Sequence, residues 1–141
     1  MNSISSNNKS QRNHAKEIEV TALAFLCHFF EMNFNENSEE FAQEFVSDYK
    51  KKFSKTETLN KFETLFNSYK NFENISYTIE EIDFDIFAEN DGYALAEGNV
   101  TYKAILPNNE FVEFDNQFKL FFYIEAGKWK VFFFKFPGFA W

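Results

Sequence analysis

Cys27 and His28 stand side by side, the residue types of a nucleophile and its base, in a chain that has one cysteine and two histidines. Neighbouring residues on a helix project about 100° apart, so thiol and imidazole would not face each other and the pair makes no dyad. Cys27 reads instead as a small buried apolar residue. His28 sits at the margin of a helix, near Thr21 and Glu31, and is either an acid/base or a histidine hydrogen-bonded locally. Tyr102 and Asn116 interrupt apolar rows, where a hydroxyl or amide needs a partner in backbone, water or ligand. Tyr69 and Trp129 are either the wall of a cavity or core. Glu81, Asp83 and Asp85 alternate along one strand face about 6–7 Å apart, and without a glycine-turned loop they read as a solvated edge rather than a cation site. Two histidines and one cysteine leave little material for zinc, and no phosphate-binding glycine loop or dinucleotide fingerprint occurs. No metal and no cofactor is expected.

The elements that must position these residues follow from periodicity. Residues 1–14 are polar, rich in Asn and Ser, and read as a flexible leader in which His14 is inert. The single domain is expected over 15–141. From Ala15 to Asn33, Ile18, Ala22, Phe25, Phe29 and Met32 recur at helical spacing. Asn37 and Glu40 have the form of a capping box and predict a second helix to about Asp48; Ser54 and Glu57 repeat that form before a third, to about Asn71. After Phe72 the period becomes two. Strands are expected at Ile75–Ala88, Tyr93–Leu106, Glu110–Ile124 and Lys128–Phe136, joined by short turns and therefore antiparallel. In the first of them the apolar face switches between Ile79 and Ile82, which predicts a bulge. The class is α+β: three N-terminal helices on a strongly curved antiparallel sheet of about four long strands.

Composition narrows the function. The 141 residues include 22 phenylalanines and carry a formal charge of −8. Phosphate binding needs clustered Lys and Arg, and the only basic run, Lys50–Lys52, reads as a solvated loop, so no nucleic-acid partner is expected. The apolar stretch Val20–Phe30 is too short to span a bilayer and is not followed by a cleavage site, which points to a cytoplasmic protein with no membrane partner. One cysteine forms no internal disulfide. The hairpin Lys119–Phe136 is apolar on both faces. One face should meet the helices, and the other, through Phe121, Tyr123, Phe132 and Phe134, a second copy of the chain.

The order of elements, the Gly92–Gly98 entry to a long strand and the closing Ala126–Val131 hairpin resemble the nuclear transport factor 2-like superfamily, which includes the polyketide-cyclase-like and ketosteroid-isomerase-like proteins. The resemblance implies a cystatin-like cone over the concave sheet face, frequent dimers through the sheet, and activities from isomerases and dehydratases to adaptors without chemistry. It also implies that the first helix can line the cone, which makes His28 a candidate catalytic residue beside Tyr102, Asn116, Tyr69 and Trp129. Three functions fit: a dimer binding a hydrophobic small molecule in an apolar cone; a cofactor-free isomerase, dehydratase or cyclase using the same cavity; and an adaptor that recognises a protein through Phe136, Phe139 and Trp141.

Overall fold

The computed structural model describes residues 12–46 and 51–141. Helix α1 spans His14–Phe30, capped by Asn13, whose side chain accepts from the Lys16 amide at 3.0 Å. It buries the stripe read from the sequence: Ile18, Ala22, Phe25, Leu26 and Phe29. The large side chains among them, Ile18, Phe25, Leu26 and Phe29, each contribute about 1.5–3 kcal/mol on burial. The start of α1 is pinned to the far end of the chain. Arg12 pairs with Glu17 at 2.5 Å and donates to the Gly127 carbonyl at 3.1 Å, and Trp129 Nε1 donates to His14 Nδ1 at 3.1 Å. His14 thus opens the helix rather than standing idle in a leader; residues 1–11 lie outside the described residues.

The expected second helix is not formed where it can be described. Asn35, not Asn37, organises this segment: its amide donates to Ser38 Oγ at 2.9 Å and its side chain accepts from the Asn37 amide at 2.8 Å. The chain then runs extended. Ala42 and Val131 amides bond across at 2.9 and 2.7 Å to Val131 and Glu40 carbonyls, joining the segment to the sheet, and strand β1 follows at Glu44–Val46. Backbone pairing with an existing edge outweighed the capping pattern. The end of the predicted helix falls in residues 47–50, outside the described residues. Strand β2, Lys52–Ser54, pairs antiparallel with β1.

Helix α2, Lys55–Asn67, carries the expected capping box, Ser54 and Glu57 each bonding the other's backbone amide. Two helices therefore stand where three were expected among the described residues. Strands β3 (Asn71–Ala88), β4 (Asp91–Ile105), β5 (Phe111–Glu125) and β6 (Lys128–Lys135) form an antiparallel meander in that order. The β3–β4 register slips between Ile79 and Glu81, at the phase switch seen in the sequence. The β5–β6 turn places Ala126 and Gly127 at φ 53° and 78°, the left-handed pair of a tight hairpin.

A slip in the β5–β6 register, between Phe121 and Phe122, inserts one residue into β6: Phe121 faces Phe133, while Phe122 faces Val131. This bulge decides which rings are outside. Phe132 stacks on Tyr123 at 5.0 Å on the outer face, Phe133 lies 5.6 Å from Phe121 but is buried under Trp141 at 5.2 Å, and Phe134 turns inward and is fully buried. The expectation that Phe132 and Phe134 share the outer face assumed unbroken alternation. Phe134 belongs to the core.

Between α1, α2 and the concave sheet face the volume is taken by rings. Phe25 lies 5.2 Å from Phe134, Phe29 4.5 Å from Phe136, and Phe62 4.7 Å from Phe139. The segment after β6 completes this packing, with Trp141 Nε1 donating to the Phe134 carbonyl at 2.7 Å. Gly138, at φ 93°, makes the fold-back possible, since a Cβ there would fall 2.6 Å from the Tyr102 hydroxyl. No helix among the described residues is long and apolar enough to cross a membrane.

Candidate functional site

Helix α1 has a second flank. Val20, Thr21, Ala24 and His28 descend one side of it, with Asn13, Lys16 and Glu17 above, facing the Asn33–Glu40 segment and the first residues of β6. Between them lies an open groove of about 810 Å³, its wall including Trp129, Lys128 and Lys130. This volume falls in the range of small-molecule sites.

His28 lines the groove. Its Nδ1 lies 2.6 Å from Glu40 Oε2. Glu40 is only 6% exposed, while the His28 side chain retains 37%. The carboxylate is held by backbone: Glu40 lies where the chain bonds to Val131, and the Asn35–Ser38 turn directs it back under α1. With Nδ1 occupied, Nε2 on the opposite ring edge has no hydrogen-bond partner among the described residues. A carboxylate accepting from Nδ1–H fixes the tautomer and leaves Nε2 as a base.

The other candidates scatter. Trp129 joins His28 in the groove wall, as a buried ring whose N–H is used by His14. Tyr102 stands on the filled side of α1, and its hydroxyl donates to the Pro137 carbonyl at 2.5 Å. Burial, with Tyr69 adding, pushes its phenol well above the ordinary range. Tyr69 is half-buried at the exit of α2, 6.0 Å from Phe72. Asn116 occupies the helix-facing row opposite Val100 but is exposed, because β6 pairs only with Lys119–Glu125 and leaves that stretch of β5 uncovered; its side chain accepts from the Gln117 amide at 2.8 Å. Cys27 is exposed rather than buried, and desolvation followed by Glu31 pushes its thiol pKa up, away from a thiolate nucleophile.

Glu40 is the candidate residue that the sequence reading does not single out. An acid three residues after Asn37 has the form of a helix cap, which hides it. Its better signal was an acid directly before Phe41-Ala42, in a segment too weakly periodic for a helix. On the outer sheet face, Tyr93 and Phe132 lie 6.0 Å apart beside Tyr123 and Phe121, with Tyr93 53% and Phe87 60% exposed. Among the described residues no group of three or more His, Cys, Asp or Glu is placed to hold a metal ion.

No protein-family model and no curated protein matches this chain. Solved structures do. A protein with a cystatin-like fold from Caulobacter vibrioides aligns at TM-score 0.56 and 10% identity over 85% of each chain. A protein provisionally titled a scytalone dehydratase, from Novosphingobium aromaticivorans, aligns at 0.60 and 14% over 84% of this chain and 79% of that one. A nuclear transport factor 2-like protein from Cytophaga hutchinsonii aligns at 0.58 and 10% over 87% and 96%. At such identities the likeness establishes the fold: this chain has the cystatin-like, nuclear transport factor 2-like α+β architecture.

Proposed function

We propose that this protein binds a small organic molecule in the groove beside α1 and moves a proton on it, as a cofactor-free isomerase or dehydratase would. The observation that carries this reading is the 2.6 Å bond from His28 to a buried Glu40 at the groove wall. Nε2 takes a proton from the carbon next to a carbonyl, and the imidazolium formed is stabilised by the Glu40 carboxylate. In an isomerisation that proton returns to a different carbon. In a dehydration the C–H electron pair becomes the new double bond, and the departing hydroxide takes the proton as water. Val20, Ala24 and Trp129 offer apolar wall for the rest of the molecule.

The groove replaces the apolar cone as the preferred site, because rings occupy the space between α1 and the sheet. One structural neighbour carries the name of an enzyme of the same reaction class, scytalone dehydratase. The test is deuterium exchange in D2O, followed by NMR, on a panel of enolisable and β-hydroxy carbonyl compounds. Exchange should depend on His28, falling about 10²–10⁴-fold in His28→Gln. Absence of exchange by the wild type across the panel, or equal exchange by His28→Gln, would sink the catalytic reading.

A second reading concerns assembly. The row of Tyr93, Tyr123, Phe121 and Phe132, with Phe87 beside it, favours a homodimer through the outer sheet face. Light scattering at high concentration should give twice the chain mass, and Tyr93→Glu should give the monomer; a wild-type monomer contradicts the dimer.

A further inference from the structure

Two lysines of β6 stand in the groove wall, and a third acts on the charge of one of them. Lys128 and Lys130 line the groove, and Lys55, from the start of α2, lies near enough to Lys130 to act on its charge. In a chain with net charge −8, cations ordinarily find carboxylates. These do not: among the described residues none of the three has a carboxylate within ion-pair distance. Lys55, 6% exposed, donates to the Glu36 carbonyl at 2.9 Å, and Lys130 donates to the Glu39 carbonyl. Two partly or wholly buried ammonium groups are thus tied to backbone oxygens of the same segment that supplies Glu40.

The acids of the groove wall are mostly engaged elsewhere. Glu17 is held by Arg12 and Glu40 by His28. Glu39 and Glu125 support the charge on Lys130 from farther away. The balance still goes against it: burial first, then Lys128 and Lys55, lowers the Lys130 pKa. A half-buried ammonium whose hydrogen bond goes to a backbone carbonyl is a place where an added anion gains, because partial desolvation strengthens the attraction.

We infer that the groove takes an anionic ligand, an organic carboxylate or phosphate whose charged group sits at Lys128 and Lys130 while its apolar body runs along Trp129, Ala24 and Val20 toward His28. This inference rests on reading the groove as a small-molecule site. It adds charge selection: one end of the molecule is held by cations, and the other reaches the base.

The experiment compares 2-naphthoate, 2-naphthyl phosphate and the neutral 2-naphthamide, by calorimetry and by amide chemical shifts of the ¹⁵N-labelled full chain. At least one anion should bind at least tenfold tighter than the amide and shift the signals of Lys128–Lys130. Lys128→Met, an exposed change that spares the fold, should weaken the anion severalfold and leave the amide unchanged; Lys130→Met should do so more strongly. Raising salt from 50 to 500 mM should weaken the anion alone. If the amide binds in the groove as tightly as both anions, charge selection is wrong while the groove reading survives. If no ligand shifts groove signals, both are overturned, and anion binding that Lys128→Met and Lys130→Met leave intact overturns the lysine assignment.

Discussion

Ala24 and Phe25 are neighbours on α1 and face opposite worlds. Phe25 is fully buried, with Phe29, Phe34, Phe41, Phe62, Phe134 and Phe136 around it at centroid distances of 5.2–6.5 Å. Ala24 borders the groove, where the next turns carry Val20 and His28 and the opposite wall carries lysines and a buried glutamate. In this fold a helix laid over a curved sheet has two flanks, and either can be filled. Here the flank toward the concave face is solid with aromatic rings, so open volume and titratable groups are left on the other. Where the side chains are large, the interior is structural. Where they are short and polar, chemistry has room.

Substitutions on the two flanks should separate stability from binding. Phe25→Ala should cost about 3–5 kcal/mol in denaturant unfolding, since so many fixed rings cannot collapse into the space. A loss below about 1 kcal/mol would mean that the interior is loosely packed and the contrast false. Tyr102→Phe removes the one hydroxyl bond from that flank to Pro137 and should cost about 1 kcal/mol, with no effect on any groove ligand. Weakened binding in that variant would tie the two flanks together.

The phenols sharpen the comparison through pH. On the outer face, burial first and then Glu125 push the Tyr123 pKa up to about 12. A phenol whose pKa is raised on folding stabilises the fold fully below its ordinary value of about 10, and that contribution is lost as pH rises through about 12. Thermal melts should therefore fall across this window, and Tyr123→Phe should flatten part of the fall; an unchanged profile would refute the assignment. Smallest in stability is Ala24→Leu, which should stay within about 0.5 kcal/mol of wild type because it enters open space, yet should block the groove. If Ala24→Leu leaves naphthoate affinity intact, the ligand does not lie where it is drawn.

Much of the fold was legible in local patterns. The α1 stripe, the Ser54–Glu57 box, the four-strand meander and the slip near Ile79 all depend on neighbours within a few residues. The errors came where a distant partner decided. The Asn37–Glu40 pattern fitted a helix until the Val131 backbone offered it strand pairing, and Phe134 fitted the outer face until a bulge in β6 reversed it. Of the site, His28 was visible as a marginal helix residue. Glu40 was not, because the bond that gives it meaning crosses from one segment to another.

The sequence by itself determined the class: helical periodicity giving way to a period of two, with enough phenylalanine to guarantee a dense core. Only the tertiary structure decided which flank of α1 that phenylalanine would fill. Ring packing is a matter of shape among elements far apart in the chain, and the groove lined by His28, Glu40, Lys128 and Lys130 is the space that packing left open.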